Sequence, residues 1–150
     1  MVAAGGGCFD SLRLEKGYRL WGADIHSDYN PYEAGLGFTV KLNKGEFLGR
    51  AALQKIREQT LARQLCCVTF DDPGVAIMGK EPILDRDRTL GYVTSANYGY
   101  SVNESLAHGY LPGEYAKEGT KVDVYYFGQR HTATVNREPC HDPQNLRLKA

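Results

Sequence analysis

Among the residues able to do chemistry, Glu33 is the best placed. It sits in Asn30-Pro31-Tyr32-Glu33-Ala34-Gly35-Leu36-Gly37-Phe38, a carboxylate followed closely by two glycines. A carboxylate can accept two adjacent N–H donors at once, as a charge-assisted pair. Gly35 and Gly37 would let the backbone approach a ligand closely. On composition alone, a solvated glutamate at the start of a strand accounts for the same residue. Arg63, just ahead of a β-rich stretch, reads by itself as a cation in a solvated turn. Tyr18 and Trp21 offer aromatic surface to a flat ligand or to a core, and Tyr98 and Tyr100 alternate and so share one face. His26, His108, His131 and His141 have no regular spacing, and each reads as structural or exposed. Cys66 and Cys67 are adjacent in a β-rich run, so their side chains point to opposite faces; they read as small buried hydrophobes, not as ligands sharing a metal. Cys140-His141-Asp142 is metal-capable by residue type but lacks the Cys-x-x-Cys pairing of a zinc site. The sequence thus nominates no metal ligand and no catalytic side chain.

These residues need elements to position them. Asp10 or Ser11 can cap a short helix running through Leu12 and Leu14 to a stop at Gly17, with Gly5-Gly6-Gly7 a frayed terminus before it. Tyr18 to Trp21 reads as extended, and Gly22 to Pro31 as polar loop. From Glu33 to Leu42, the residues Leu36, Phe38, Val40 and Leu42 alternate with Gly35, Gly37, Thr39 and Lys41, which predicts a half-buried strand. Gly49 to Gln59 predicts a helix with a stripe of Ala52, Leu53 and Ile56. Beyond Thr60 the pattern becomes short strands between turns: Gln64–Phe70, Ile83-Leu84, Leu90–Ser95, Leu106–Leu111, Lys121–Phe127 and Arg130–Val135, with a tight hairpin at Phe127-Gly128. Such spacing predicts a small antiparallel barrel or sandwich with no helix longer than two turns between Lys80 and Val135. The division is an α+β piece over residues 1–60, then a β domain over 61–150.

An ordered series of segments then resembles one family. Ser11-Leu12-Arg13-Leu14-Glu15-Lys16-Gly17 is followed by Trp21-Gly22-Ala23-Asp24-Ile25, the Glu33 segment, Val40-Lys41-Leu42-Asn43-Lys44, and Phe47-Leu48-Gly49. Later come Gly79-Lys80-Glu81-Pro82, Gly91-Tyr92-Val93-Thr94-Ser95-Ala96, Tyr98-Gly99-Tyr100 and Gly109-Tyr110-Leu111-Pro112-Gly113. The series is similar to the glycine-cleavage T-protein (aminomethyltransferase) family, and most like the C-terminal, folate-binding region of its dimethylglycine- and sarcosine-oxidising members.

That resemblance implies a fold class of α+β: part of a T-protein-like folate-binding lobe over 1–60, then a small antiparallel β-barrel. It implies tetrahydrofolate as the cofactor, receiving a one-carbon unit from an amine-derived adduct. It makes Glu33 the acceptor for the pterin N3–H and exocyclic amine, Arg63 a holder of folate polar groups, and Tyr18 and Trp21 possible aromatic contacts. In the oxidase-type members a separate FAD domain oxidises the methylamine. No FAD fingerprint occurs here, and the family's catalytic aspartate belongs upstream of the Ser11 segment. The expectation is therefore a chain incomplete as an enzyme, partnered by reduced folate and by an upstream half or a complementing subunit. Apolar surface should then be left open near Leu12, Leu14, Trp21 or Phe38. The alternative is a non-catalytic interaction or regulatory module on the same scaffold, as in a related phosphatase subunit.

Composition bounds the remaining possibilities. The chain has 150 residues with 18 Lys+Arg against 18 Asp+Glu, so no broad electrostatic pull toward nucleic acid or anionic lipid is expected. No apolar run reaches the ~20 residues of a membrane span, and the first residues lack the basic and apolar regions of a secretory signal. A cytoplasmic protein with reduced thiols is the expectation.

Overall fold

The computed structural model describes residues 3–147 and 149. Its helices are α1 (Gly6–Glu15) and α2 (Arg50–Arg57), and its strands are β1 (Arg63–Phe70), β2 (Pro82–Asp85), β3 (Arg88–Gly99), β4 (Glu104–Pro112), β5 (Lys121–Tyr126) and β6 (Gln129–Asn136). The strands close into an antiparallel barrel in the order β1-β4-β3-β2-β5-β6, with β6 returning to pair β1. All six strand segments expected from the short runs between turns are present, and no helix interrupts Lys80 to Val135. The hairpin between β5 and β6 turns at Phe127 and Gly128, both at positive φ (45° and 77°), as a two-residue turn matching the strand twist requires.

Alternation sends one set of side chains into the barrel. Cys66, Val68 and Phe70 of β1 meet Val93, Ala107, Leu111, Val122, Val124, Ala133 and Val135 there. The outward set on β1 and β4 is buried as well, so neither strand shows a solvent face. The segment before Arg63 covers that wall. Ser11 donates its hydroxyl to the Tyr98 carbonyl at 2.7 Å, the Ser101 amide donates to Glu15 at 2.6 Å, and the Leu65 amide donates to the Glu33 carbonyl at 2.8 Å. Cys66 faces the barrel interior and Cys67 the covered wall, on opposite faces as adjacent strand residues must be.

Three local expectations are corrected. Helix α1 starts at Gly6, not near Asp10, so the glycine run forms its first turn and the cap is the extended Gly5. Its end is as expected: Gly17 at φ 68° lets the Gly17 amide reach the Leu14 carbonyl and the Tyr18 amide reach that of Arg13. The alternating stretch Glu33 to Leu42 is not a strand. It is a run of turns with one 3-10 turn at Gly37–Thr39, because Gly35 at φ 70° folds the chain back and the Leu36 amide bonds to the Pro31 carbonyl. Of the four apolar residues expected to lie open, Leu12, Trp21 and Phe38 are exposed, whereas Leu14 is buried under β3 and β4. Helix α2 forms where expected, but its stripe is only half-buried at Leu53 and Ile56.

Candidate functional site

Glu33 is held by the loop that precedes it. The Asn30 side chain accepts from the Tyr32 and Glu33 amides, both at 3.0 Å, which forms an Asx turn. The turn aims the Glu33 carboxylate back, where Oε2 accepts from the Asn30 amide at 3.1 Å. Oε1 accepts from Arg63 Nε at 3.2 Å, across 30 residues of sequence. Arg63 is the first residue of β1, and its Nη2 also donates to the Asp28 carbonyl at 2.9 Å. Glu33 and Arg63 thus come together, and each carboxylate oxygen keeps a further lone pair for another donor.

The pair lines a cavity of about 390 Å³ with Tyr29, Leu90, Tyr92 and Tyr110. Tyr29 stacks on Tyr110 with centroids 3.8 Å apart, and the Arg63 guanidinium lies 4.6 Å from the Tyr29 centroid. The Tyr29 and Tyr92 hydroxyls are 2.6 Å apart. Burial first, then this contact with Tyr92, pushes the Tyr29 phenol up to about 12. Burial also raises Tyr110, helped by the nearby Tyr29 and Glu33 charges.

Sequence reasoning missed this tyrosine tier. The available signal was the pair of dipeptides Gly91-Tyr92 and Gly109-Tyr110. A Cβ on Gly91 would lie 2.0 Å from the Tyr110 carbonyl oxygen, and one on Gly109 would lie 2.9 Å from that of Tyr92. Each glycine makes room for the backbone beside the other's tyrosine. Gly35 and Gly37 have a different role from the one expected. Their missing side chains leave space for the protein's own Arg19 guanidinium and Tyr32 ring, at 2.8 and 2.9 Å from the would-be Cβ atoms.

The aromatic candidates Tyr18 and Trp21 lie elsewhere. Tyr18, 60% exposed, lines a separate cavity of about 570 Å³ with Arg19, Leu36, Phe38 and Pro139. Trp21 is 74% exposed, and its backbone bridges to Ile25.

Beneath the tyrosines lies a buried polar knot centred on Asp24. Its Oδ2 accepts from Arg13 Nη1 at 2.5 Å and from the Leu20 amide at 2.8 Å. Its Oδ1 accepts from the hydroxyls of Thr94 at 2.5 Å and Ser95 at 2.7 Å. Consecutive strand residues normally face opposite ways, but a bulge between Val93 and Ser95 brings both hydroxyls to one carboxylate. The Tyr110 hydroxyl donates to the Asp24 carbonyl at 2.9 Å, which joins the knot to the tyrosine tier. Burial opposes ionisation of Asp24, yet His108, Thr94 and the Leu20 amide outweigh it and hold the carboxyl far below the usual range. Burial likewise opposes charging His108, but the flanking Asp24 and Glu138 carboxylates raise it.

Comparison with known proteins gives one consistent answer. Residues 63–142 match the glycine cleavage T-protein C-terminal barrel domain, and residues 1–44 match the GCVT N-terminal domain. The chain is 38% identical to the mitochondrial dimethylglycine dehydrogenase of Rattus norvegicus over 143 residues, covering 93% of this chain and 17% of that protein. It is 37% identical to the mitochondrial sarcosine dehydrogenase of Homo sapiens, covering 99% of this chain and 17% of that protein. It is 38% identical to an aminomethyltransferase of Prochlorococcus marinus (strain NATL1A), covering 94% of this chain and 38% of that protein. Among solved structures, the glycine cleavage system aminomethyltransferase T from Bartonella henselae superposes with a TM-score of 0.84 at 29% identity, over 89% of this chain and 38% of that one.

Proposed function

Because this chain belongs to the glycine cleavage T-protein family, we propose that it supplies part of a tetrahydrofolate site in a one-carbon-transferring enzyme, one that acts on dimethylglycine or sarcosine. Glu33 carries this reading. Its carboxylate is fixed on a cavity wall by Arg63 and the Asn30 amide, with acceptor capacity left on both oxygens. The two acceptor oxygens fit the edge of a pterin, which offers two N–H groups side by side. Bound folate would supply the amine nitrogens that take up the one-carbon unit. The residues of this chain would bind and orient it: Glu33 accepts, Arg63 holds the carboxylate in place, and Tyr29 and Tyr110 give the cavity flat apolar walls. Oxidation of the methylamine, and the group that moves a proton at folate, would belong to other parts of such an enzyme.

The test is a titration of tetrahydrofolate, kept anaerobic, into the protein at its natural length and into its Glu33→Gln variant. The amide presents a donor to the pterin's donors and leaves a buried group unpaired. The cost should be ~2–4 kcal/mol, or roughly 30- to 1000-fold in affinity. Equal affinities would remove the main support for the reading. Gln144, on the surface near the C-terminus, is the control position.

A further inference from the structure

A second constellation lies on the barrel wall that the N-terminal segment covers. In the β1–β4 register Cys67 sits directly opposite His108, so the two side chains share the outward face. Both are fully buried. Glu138 and Cys140 approach them on the chain that follows β6. The Cys67 sulfur, an imidazole nitrogen of His108 and a carboxylate oxygen of Glu138 all lie within 4.8 Å of one another. Cys140 Sγ is 3.5 Å from Cys67 Sγ, and both thiols are free.

The polar atoms of this cluster are underused. His108 Nε2 is 3.0 Å from Glu138 Oε1, yet neither of those atoms nor His108 Nδ1 makes an aligned hydrogen bond. Buried side-chain nitrogens and carboxylate oxygens are nearly always bonded, so a fully buried imidazole whose contacts, Glu138 Oε1 at 3.0 Å and Asp24 Oδ2 at 3.7 Å, both fall short of aligned hydrogen bonds requires an explanation. A cation between the donors would supply it.

We propose that Cys67, His108, Glu138 and Cys140 form a binding site for a thiophilic divalent cation of the zinc class. The donor set is two sulfurs, one nitrogen and one oxygen, which suits a tetrahedral structural site. In such a site, ligand bonds of about 2.3 Å to sulfur and 2.0–2.1 Å to nitrogen and oxygen put donors roughly 3.3–3.8 Å apart. The sulfur–sulfur separation of 3.5 Å and the nitrogen–oxygen separation of 3.0 Å are close to that range, and Cys140, which meets the cluster through Cys67, would turn its Sγ toward His108 and Glu138 to complete the tetrahedron. The surrounding shell fits as well. His108 Nδ1 faces Asp24 Oδ2 at 3.7 Å, the carboxylate that would orient the ring, and Arg19 Nη2 donates to Glu138 Oε2 at 2.5 Å, leaving Oε1 to the metal. Two thiolates, one carboxylate and a divalent cation leave one negative charge, which Arg19 balances. The role is structural: the metal would pin the tail after β6 to β1 and β4. The ligands are spread over 73 residues between Cys67 and Cys140, so no local spacing announces them.

The experiment uses the full chain, reduced with a phosphine, stripped with a chelator, and titrated with cobalt(II) and then zinc(II). Expected are one equivalent of cobalt, a near-ultraviolet sulfur-to-cobalt band, and intense tetrahedral visible bands that zinc abolishes. Affinity should fall at least ~100-fold in Cys67→Ser and Cys140→Ser, and stay unchanged in Cys8→Ser, whose thiol is on the surface. Cys140 lies beyond the last strand, so its variant decides the matter even where Cys67→Ser fails to fold. Absence of the sulfur band, undiminished binding in Cys140→Ser, or a Cys67–Cys140 disulfide that persists in reductant and blocks uptake would each overturn the proposal.

Discussion

Replacing Asp24 by Asn tests whether the buried knot holds the N-terminal segment on the barrel. The amide is nearly isosteric. Its oxygen can turn toward Arg13 Nη1 and the Leu20 amide, which only donate. Its NH2 can meet the hydroxyls of Thr94 and Ser95, which can rotate to accept. Hydrogen bonding is therefore largely conserved, and the charge is what disappears. Arg13 has a side chain only 6% exposed, so it would be left as a buried cation. Removing one partner of a buried pair typically costs ~3–5 kcal/mol. The Tyr18 carbonyl, 3.4 Å from Nη1, and the half-exposed Asp10, 3.6 Å from Nε, relieve part of this. The loss should sit near the low end, ~3 kcal/mol. Urea unfolding of the chain, followed by circular dichroism, should show an unchanged slope and a midpoint lowered by roughly 1.5–2 M, for a slope of ~1.5–2 kcal/mol/M. Arg13→Met combined with Asp24→Asn should recover at least ~1 kcal/mol, because the stranded charge is gone. A single-variant loss below ~1 kcal/mol, or a double variant as unstable as the summed singles, would refute the reasoning.

Two further outcomes follow from the barrel and its tyrosines. Gly91→Ala should prevent the native fold, with a cost of at least ~3 kcal/mol, because its Cβ would fall 2.0 Å from the Tyr110 carbonyl oxygen and backbone cannot swing away; a circular dichroism spectrum and melting point like those of the parent would contradict this. Tyr29 should titrate late, through about 12, when phenolate absorbance is followed against pH, and Tyr29→Phe should remove that late step. The folded state favours the neutral phenol, so this contribution to stability is intact below the ordinary value of ~10 and is lost as pH rises through about 12. A single transition near pH 10 for every tyrosine would count against the packing described.

The strands and the helix stops were legible because their causes are local. Short β-rich runs between turn residues located all six strands, and Gly17 marked the end of α1 through the left-handed conformation that glycine adopts easily. Glu33 to Leu42 misled because alternation is also what a chain of turns can display when glycines such as Gly35 and Gly37 fall between apolar residues. The initial glycines misled for the opposite reason: weak helix formers entered α1 because the docked residues Ser11, Leu14 and Glu15 hold the rest of it. Glu33 could be singled out by its motif, and Arg63 followed from the resemblance. The knot at Asp24 could not be read. Its hydroxyl partners lie 70 and 71 residues away, and they meet it only because a bulge turns Thr94 and Ser95 the same way. Burial on both faces erased the alternation of β1 and β4, so no polar face announced that another layer covers them.

The return of β6 to β1 has a consequence for how this chain can meet others. An open sheet ends in a row of unpaired amides and carbonyls that any extended peptide can template upon, which is the usual route to runaway aggregation and also to recognition by strand addition. Here each of the six strands has a neighbour on both sides. Among the described residues no strand of the barrel is an edge strand, so neither route has a whole unpaired strand to start from. Among the described residues, exposed side chains such as Trp21 and Phe38 offer a different kind of contact surface, one whose chemistry can be selective.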